Sequence, residues 1–418
     1  MIFIYNSVLI LSSIALLPFI AAAFIIKPKF RAGFFQKLGF YKFDNQNINK
    51  PVTVFHAVSV GETNAIKELV TKYREQHPDE TIIITTTTKT GQDIAQKVFA
   101  NIADKVTYYP YDFFFSVLSF LNTFKPQKII IAETEIWPCF VTIAKAKGIK
   151  VYTINGRISP HSYNGYKKIK LFLAPVLNRY EKIFMQSNDD AKRMIGIGAK
   201  TEKVEVMGNL KFDISQNLSG TEINKYKDEL KTGDYRIFTA ASTHKGEDEL
   251  VLYAFDILKK SCQDAKLLIA PRHPQRFEDV VKLLKETKYN WGKRSLNDNF
   301  LKNDIILLDT MGELAKLFSI SYIAFIGGSF SSTGGHNPLE ANIWGKPVLS
   351  GPCIFNFKDV YKILTEKKCA QIVLDEYDFA DELISFYKDK EKYNNYSRNA
   401  FSVFKENQGA INYVLNKI

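Results

Sequence analysis

The sequence predicts an α/β protein built from two doubly wound parallel-sheet domains behind an apolar N-terminal helix. Three observations lead there. From residue 51 onward, short β-branched runs alternate with amphipathic helical runs, the pattern of parallel sheets covered by helices on both faces. The chain has 418 residues, too many for one ordinary core and suited to two domains of roughly 150–200 residues. Residues 1–26 carry no charged side chain.

That apolar run comes first. As one helix it would be about 39 Å long, enough to cross a hydrocarbon core of about 30 Å with some tilt. Pro18 could kink it. The bases Lys27, Lys29, Arg31, Lys37, Lys42 and Lys50 follow, against the single acid Asp44, so the positive-inside rule faces the short N-terminus out and puts the bulk of the chain on the cytoplasmic side of a single-pass anchor. A cleaved signal peptide is the alternative, and the missing basic n-region speaks against it. Bases interleave with Phe30, Phe34, Phe35, Phe40, Tyr41 and Phe43 in the next segment. This suits a lipid headgroup interface; ordinary helix packing, with the rings as core, is the competing reading.

Strands are expected at residues 52–58, 81–88, 105–110, 128–133, 150–154 and 182–187, then at 236–242, 265–271, 304–309, 322–328, 347–351 and 370–375. The two sets part near residues 208–235. The expected organisation is an anchor over 1–26, a first domain over 27–208, a second over 209–390, and a C-terminal helix over 391–418 that packs back on the first. Four scattered cysteines without CxxC or Cys/His spacing argue for reduced thiols and against structural zinc. The formal net charge of +12 suits an anionic membrane surface or acidic substrates. No nucleic-acid recognition motif accompanies it, so nucleic acid is not an expected partner.

Ligands of open parallel sheets sit beyond the strands' C-terminal ends, and the chemistry-bearing residues follow strands. Glu62 sits at the first strand-to-helix turn, where a carboxylate can take a proton from a hydroxyl or merely stabilise a helix start. Glu133 and Glu135 flank Thr134 at another strand end; alternation along a strand would turn only one of them to the site. Lys211 could offset charge on a leaving group. In the second half, Arg272 is a candidate phosphate fork or a surface ion-pair member. Met311, Gly312 and Glu313 open a helix. The stretch GGSFSSTGGHNPLEANIWGKPVLSG, residues 327–351, looks built to hold an anion. Its helix should start near Asn337 and Pro338, with free N–H groups for phosphate and Glu340 one turn in. There is no Walker loop, Asp-x-Asp or Gly-x-Ser-x-Gly, so neither a metal-clamped diphosphate nor a serine hydrolase is implied, and no cofactor is expected.

HAVSVGE, ETEIWP, GNLKFD, STHKGED, APRHP, MGEL and GGHNPLE…GKPVLSGP…FNF occur in this order, which resembles the bacterial Kdo transferases, enzymes that add 3-deoxy-D-manno-oct-2-ulosonic acid to the lipid A precursor. The resemblance runs from the N-terminus to about residue 365. It implies a GT-B fold of two Rossmann-like domains around a cleft, CMP-Kdo as donor, lipid IVA as acceptor and inner-membrane lipids as surroundings. By residue it implies Glu62 as proton acceptor, Glu133 and Lys211 as transition-state stabilisers, and CMP contacts at Pro271, Arg272, Met311, Gly312, Glu313, Asn337, Pro338, Leu339 and Glu340. Two positions depart from the family pattern: Cys139, where many members carry Asn, and the middle of GGSFSSTGG. Another GT-B transferase or an epimerase using a nucleoside diphosphate sugar, and a membrane-anchored binding protein without chemistry, are the competing readings.

Overall fold

The structure is a computed structural model that describes residues 2–26, 31–42, 50–213 and 218–418. Two compact units divide the chain: residues up to Asp213 together with Gln408–Ile418, and Ile214–Asn407.

In the first unit seven strands form one parallel sheet: β1 (Val52–His56), β2 (Thr81–Thr86), β3 (Lys105–Tyr108), β4 (Lys128–Ala132), β5 (Lys150–Gly156), β6 (Lys182–Met185) and β7 (Val204–Val206). Their order is β3-β2-β1-β4-β5-β6-β7, so the direction of winding reverses between β1 and β4. The central strands read as continuous apolar runs because both faces are covered. Val54, Ile83, Ile129 and Val151 pack on one face with Phe120 and Phe140, and Phe55, Ile84, Ile130 and Tyr152 on the other with Leu69 and Phe99.

The second unit repeats the plan with β8 (Arg236–Thr243), β9 (Ala265–Pro271), β10 (Trp291–Lys293), β11 (Ile305–Leu307), β12 (Ile323–Ile326), β13 (Val348–Ser350) and β14 (Ala370–Ile372), in the order β10-β11-β9-β8-β12-β13-β14. Here the reversal falls between β8 and β12. Every strand expected from sequence is present. The two additional ones, β7 and β10, are three-residue edge strands, VEV and WGK, too short and too polar to show a strand pattern.

Three expectations need correction. The expected helix over 391–418 is two helices: Lys390–Asn407 stays with the second unit and Ala410–Leu415 with the first. Asp213 ties down the latter, its carboxylate accepting from the Gly409 N–H at 2.6 Å and from the Ile411 N–H. The expected N-terminal span is not one helix either. Among the described residues no single helix is long and apolar enough to cross a membrane; Ile2–Ala15 and Leu17–Ile26 pass that test only as a pair, bent by 59°. Pro18, in the first turn of the second helix, explains the break, since proline lacks an N–H and its ring clashes with the carbonyl four residues back. The segment after it divides. Phe35 and Phe40 are exposed, whereas Tyr41 packs on Phe120 and Phe124 and Lys37 is buried with its ammonium 4.7 Å from the Tyr108 ring centroid. Lys27, Lys29, Phe30, Phe43 and Asp44 lie outside the described residues.

Candidate active site

In each unit part of the candidate set follows the strands where the winding reverses, the position at which open α/β sheets leave a crevice: Glu62 and Glu133 after β1 and β4, and Asn337–Glu340 after β12. In the first unit β1 leads into the short helix Val60–Ala65, with Ser59 as N-cap and Glu62 as its third residue. Glu62 is buried; its carboxylate accepts from the Val58 N–H at 2.8 Å and the Ser59 hydroxyl at 2.9 Å. Burial raises its pKa and the charge of Glu133 adds to that, while the two donors pull the other way. The result is a carboxylate held in one orientation and more basic than an ordinary glutamate.

Glu133 comes from the loop after β4, with a left-handed φ of 59°. The strand has already ended at Ala132, so strand alternation does not apply to Glu133 and Glu135. Both lie within electrostatic reach of Glu62: the charge of Glu133 raises the Glu62 pKa, and that of Glu62 raises the Glu135 pKa. Glu135 is pushed up to about 7, mostly by burial. The charge of Glu133 thus bears on both Glu62 and Glu135, and that of Glu62 on Glu135. Arg157 reaches in from β5, its Nε 3.3 Å from a Glu133 oxygen.

A raised carboxylate pKa means ionisation works against the fold, so its cost appears as pH climbs from the ordinary glutamate range through the folded value. Glu135→Gln is therefore expected to raise the melting temperature more at pH 8 than at pH 5, measured by paired thermal melts. An equal gain at both values would place Glu135 outside the cluster.

Lys211 sits in the turn Leu210–Phe212 after β7 and is half-buried. A polar chain centred on Asn155 holds this turn. The register of β5 against β6 slips between Thr153 and Gly156, and within that slip Asn155 is left-handed, φ 54°. Its Oδ1 accepts from the Leu210 N–H at 3.1 Å. The Gln186 amide donates to the Asn155 carbonyl at 3.0 Å and accepts from Asn209 at 3.1 Å. A bulge re-aims the end of a strand, and here it carries the turn bearing Lys211 to the ends of the central strands.

In the second unit a similar slip lies in β8, between Ala241 and Thr243, with Ser242 left-handed at φ 55°. It delivers His244 beside the loop after β12. The His244 and His336 Nε2 atoms are 2.8 Å apart and the rings are stacked. Both pKa values are lowered, by burial first. That of His336 falls to about 4, with Arg272 and the neighbouring histidines adding to the effect. That of His244 is lowered further by His273, Arg276 and Arg272 against the opposing charge of Glu247. Two neutral imidazoles at that distance need one Nε2 to donate and the other to accept.

Arg272 follows Pro271, the buried last residue of β9, with its N–H on the Thr243 carbonyl at 3.0 Å. Its side chain is exposed and forms no ion pair among the described residues. Its charge is felt by His336 and by Glu340, whose pKa is raised by burial and lowered by Arg272 and by a hydrogen bond with Asn337. Pro271, Arg272, Asn337, Pro338, Leu339 and Glu340 are thus brought together. The helix expected after Asn337 is a single turn, Leu339–Asn342, because Gly345 at φ 65° and Pro347 end it at once. Asn337 Oδ1 accepts from the Leu339 N–H at 3.2 Å.

Met311 is exposed and Gly312 left-handed at φ 85°. The Glu313 carboxylate is engaged by the Arg294 guanidinium at 3.2 and 3.3 Å and by the Thr310 hydroxyl. The Glu313 side chain is thus committed to contacts within the fold. Trp344 Nε1 donates to the Ala315 carbonyl at 3.1 Å, joining this helix start to the Leu339–Asn342 turn.

The glycine turn departs from expectation. Its N–H groups do hold an anion, but the anion is the protein's own. Glu247 lies buried at the start of the helix Glu247–Ser261, 81 residues ahead of Gly328 in the chain. Its carboxylate accepts from the N–H groups of Gly328 at 2.7 Å and of Ser329 and Phe330 at 2.8 Å each, and from the His244 N–H at 2.8 Å.

The chain matches the family profile described as 3-deoxy-D-manno-octulosonic-acid transferase (kdotransferase) over residues 32–214. It is 35% identical to the 3-deoxy-D-manno-octulosonic acid transferase of Haemophilus influenzae over 99% of this chain and 97% of that protein. The enzyme of the same name from Rickettsia felis is 30% identical over 75% of this chain and 67% of its own. Among solved structures, the UDP-GlcNAc 2-epimerase of Neisseria meningitidis aligns over 88% of this chain and 98% of its own with a TM-score of 0.54 at 15% identity, a likeness of fold. The sheets, the acids at the reversal points and the near-full-length identity lead to one assignment: the chain belongs to the 3-deoxy-D-manno-octulosonic acid transferase family of glycosyltransferases.

Proposed function

We propose that the chain transfers Kdo from CMP-Kdo to lipid IVA with inversion at the anomeric carbon. The observation that carries this reading is Glu62, a buried and oriented carboxylate whose basicity is raised by burial and by Glu133. Glu62 accepts the proton of a sugar hydroxyl as its oxygen attacks the anomeric carbon. The bond from that carbon to the CMP phosphate breaks, and CMP departs with the electron pair. Glu133 and Lys211 offset the charges that develop in the transition state.

In the second unit Pro271, Arg272, Met311, Gly312, Glu313, Asn337, Pro338, Leu339 and Glu340 hold CMP. Since Glu247 fills the N–H groups of the glycine turn, recognition of the phosphate falls on Arg272. Arg272→Ala is expected to raise the KM for CMP-Kdo by about 10- to 100-fold, the worth of one charged hydrogen bond, with kcat changed less. Unchanged donor KM in initial-rate assays would remove Arg272 from the site.

The acceptor is an amphiphile, and the uncharged segment 2–26, the exposed Phe35 and Phe40 and the net charge of +12 suit attachment to an anionic inner membrane from the cytoplasmic side. Mass spectrometry of the products from CMP-Kdo and lipid IVA tests the whole reading: lipid IVA gaining Kdo with release of CMP is the expected result. A thermal shift with UDP-sugars and none with CMP would favour the epimerase-like alternative that the fold alone allows.

A further inference from the structure

We propose that residues 2–26 dip into one leaflet and return, instead of crossing the bilayer, so that residues 2–6 stay on the side of the first unit. This rests on the membrane attachment proposed above and specifies its form. A single-pass anchor requires the two ends of the segment to lie on opposite sides. Here the early end is docked on the first unit's own fold. The Asn6 side chain is buried, its Oδ1 accepting from the Phe114 N–H at 2.7 Å, and it also meets the Cys139 thiol. Tyr5 packs near Phe172 with ring centroids 5.6 Å apart, and Ile2 and Tyr5 pack against the core of the first sheet. The later end returns to the same region. Arg31 donates to the carbonyls of Phe24 and Ile25 at 2.8 and 2.9 Å, Phe24 meets Phe34, and the Leu38 and Gly39 carbonyls accept from Ser116 and Ser119.

Between these two feet the helices Ile2–Ala15 and Leu17–Ile26 are about 21 and 15 Å long, each short of the hydrocarbon core of about 30 Å, and the bend of 59° tips one away from the other. Leu11, Ile14, Leu17 and Phe19 are exposed along them, which is a surface for acyl chains. The occupant is a lipid leaflet because the same character continues onto the unit around the docked foot. Phe114 and Phe115 beside Asn6, and Ile169 and Leu171 beside Phe172, are exposed, Leu171 at 92%. Lys167, Lys168 and Lys170 are exposed among the latter, and no acid occurs from residue 158 to 180. Alternating bases and apolar side chains of this kind lie in the headgroup layer.

Native Cys139 makes the test direct. In native membranes holding the full-length Asn6→Cys variant, dithiodipyridine is expected to join residue 6 to Cys139, leaving three free thiols of five after denaturation; the additional change Cys139→Ser abolishes the link. A protease site placed ahead of residue 2 should be cut in sealed inverted vesicles, whose outer face is the cytoplasmic one. Five remaining thiols in a variant that still melts cooperatively, or a tag cut only from the opposite face, overturns the dip. Flotation with vesicles of phosphatidylethanolamine and phosphatidylglycerol separates the two levels: a chain that forms the link but does not float overturns the membrane attachment itself, and the dip with it.

Discussion

Glu62→Gln is expected to lower Kdo transfer by about 10²- to 10⁴-fold, the usual worth of a positioned general base, with the fold intact. The amide keeps the length of the side chain and one acceptor oxygen. It can therefore still accept from the Val58 N–H while the Ser59 hydroxyl rotates to accept from its NH₂. Glu62→Ala is the contrasting variant, because it also discards the acceptor for the Val58 N–H and the Ser59 hydroxyl and costs about 1 kcal/mol of stability. The same geometry predicts a pH dependence. A base works only when ionised, so activity rises as pH climbs through the folded pKa of Glu62, which burial and Glu133 place above the ordinary carboxylate range. Removing the Glu133 charge with Glu133→Gln should slow transfer and also move this acid limb to lower pH. If Glu62→Gln retained near-normal rates, or if the limb stayed fixed in Glu133→Gln, the base would lie elsewhere.

How much of this was legible beforehand depends on the range of the interactions involved. The central strands of both sheets are continuous apolar runs because both faces are buried, and a strand pattern survives in sequence everywhere except at the short polar edges β7 and β10. Glu62, Glu133 and Arg272 are marked by their place after a strand. By contrast, the two bulges are not visible in one dimension. Nothing in KVYTING or RIFTAAST says that Asn155 and Ser242 adopt left-handed backbone, yet these two residues aim the Lys211 turn and His244. The apolar run 1–26 announces a membrane segment by composition, while its bend and its docked early end depend on Asn6 meeting Phe114 and Cys139 more than a hundred residues away. Exposed Leu171 among three lysines was a readable local signal that strand-end reasoning passed over.

The glycine turn shows the same limit with the largest consequence for stability. Glu247→Ala is expected to destabilise the second unit by about 3–5 kcal/mol, the range for breaking a buried charged network. Its carboxylate is 1% exposed and satisfies four backbone N–H groups, two per oxygen. Removing it strands all four in a site where Gly327 leaves no spare room: a Cβ there would lie 2.5 Å from the Ser242 carbonyl oxygen and 2.8 Å from Glu247 Oε2. The turn in turn sets the loop ahead of Asn337, since Gly335 and His336 donate their N–H groups to the carbonyls of Gly328 and Gly327 at 2.7 and 3.1 Å. Donor KM should therefore rise together with the loss of stability. Acetate, which can re-enter the vacated cradle, should recover part of the melting temperature in Glu247→Ala and none in the unaltered protein. The opposite outcome has a distinct meaning. Were CMP-Kdo to bind more tightly to Glu247→Ala, the N–H groups of Gly328–Phe330 would be a phosphate subsite that Glu247 occupies only in the absence of donor, and phosphate recognition would shift from Arg272 back to the turn.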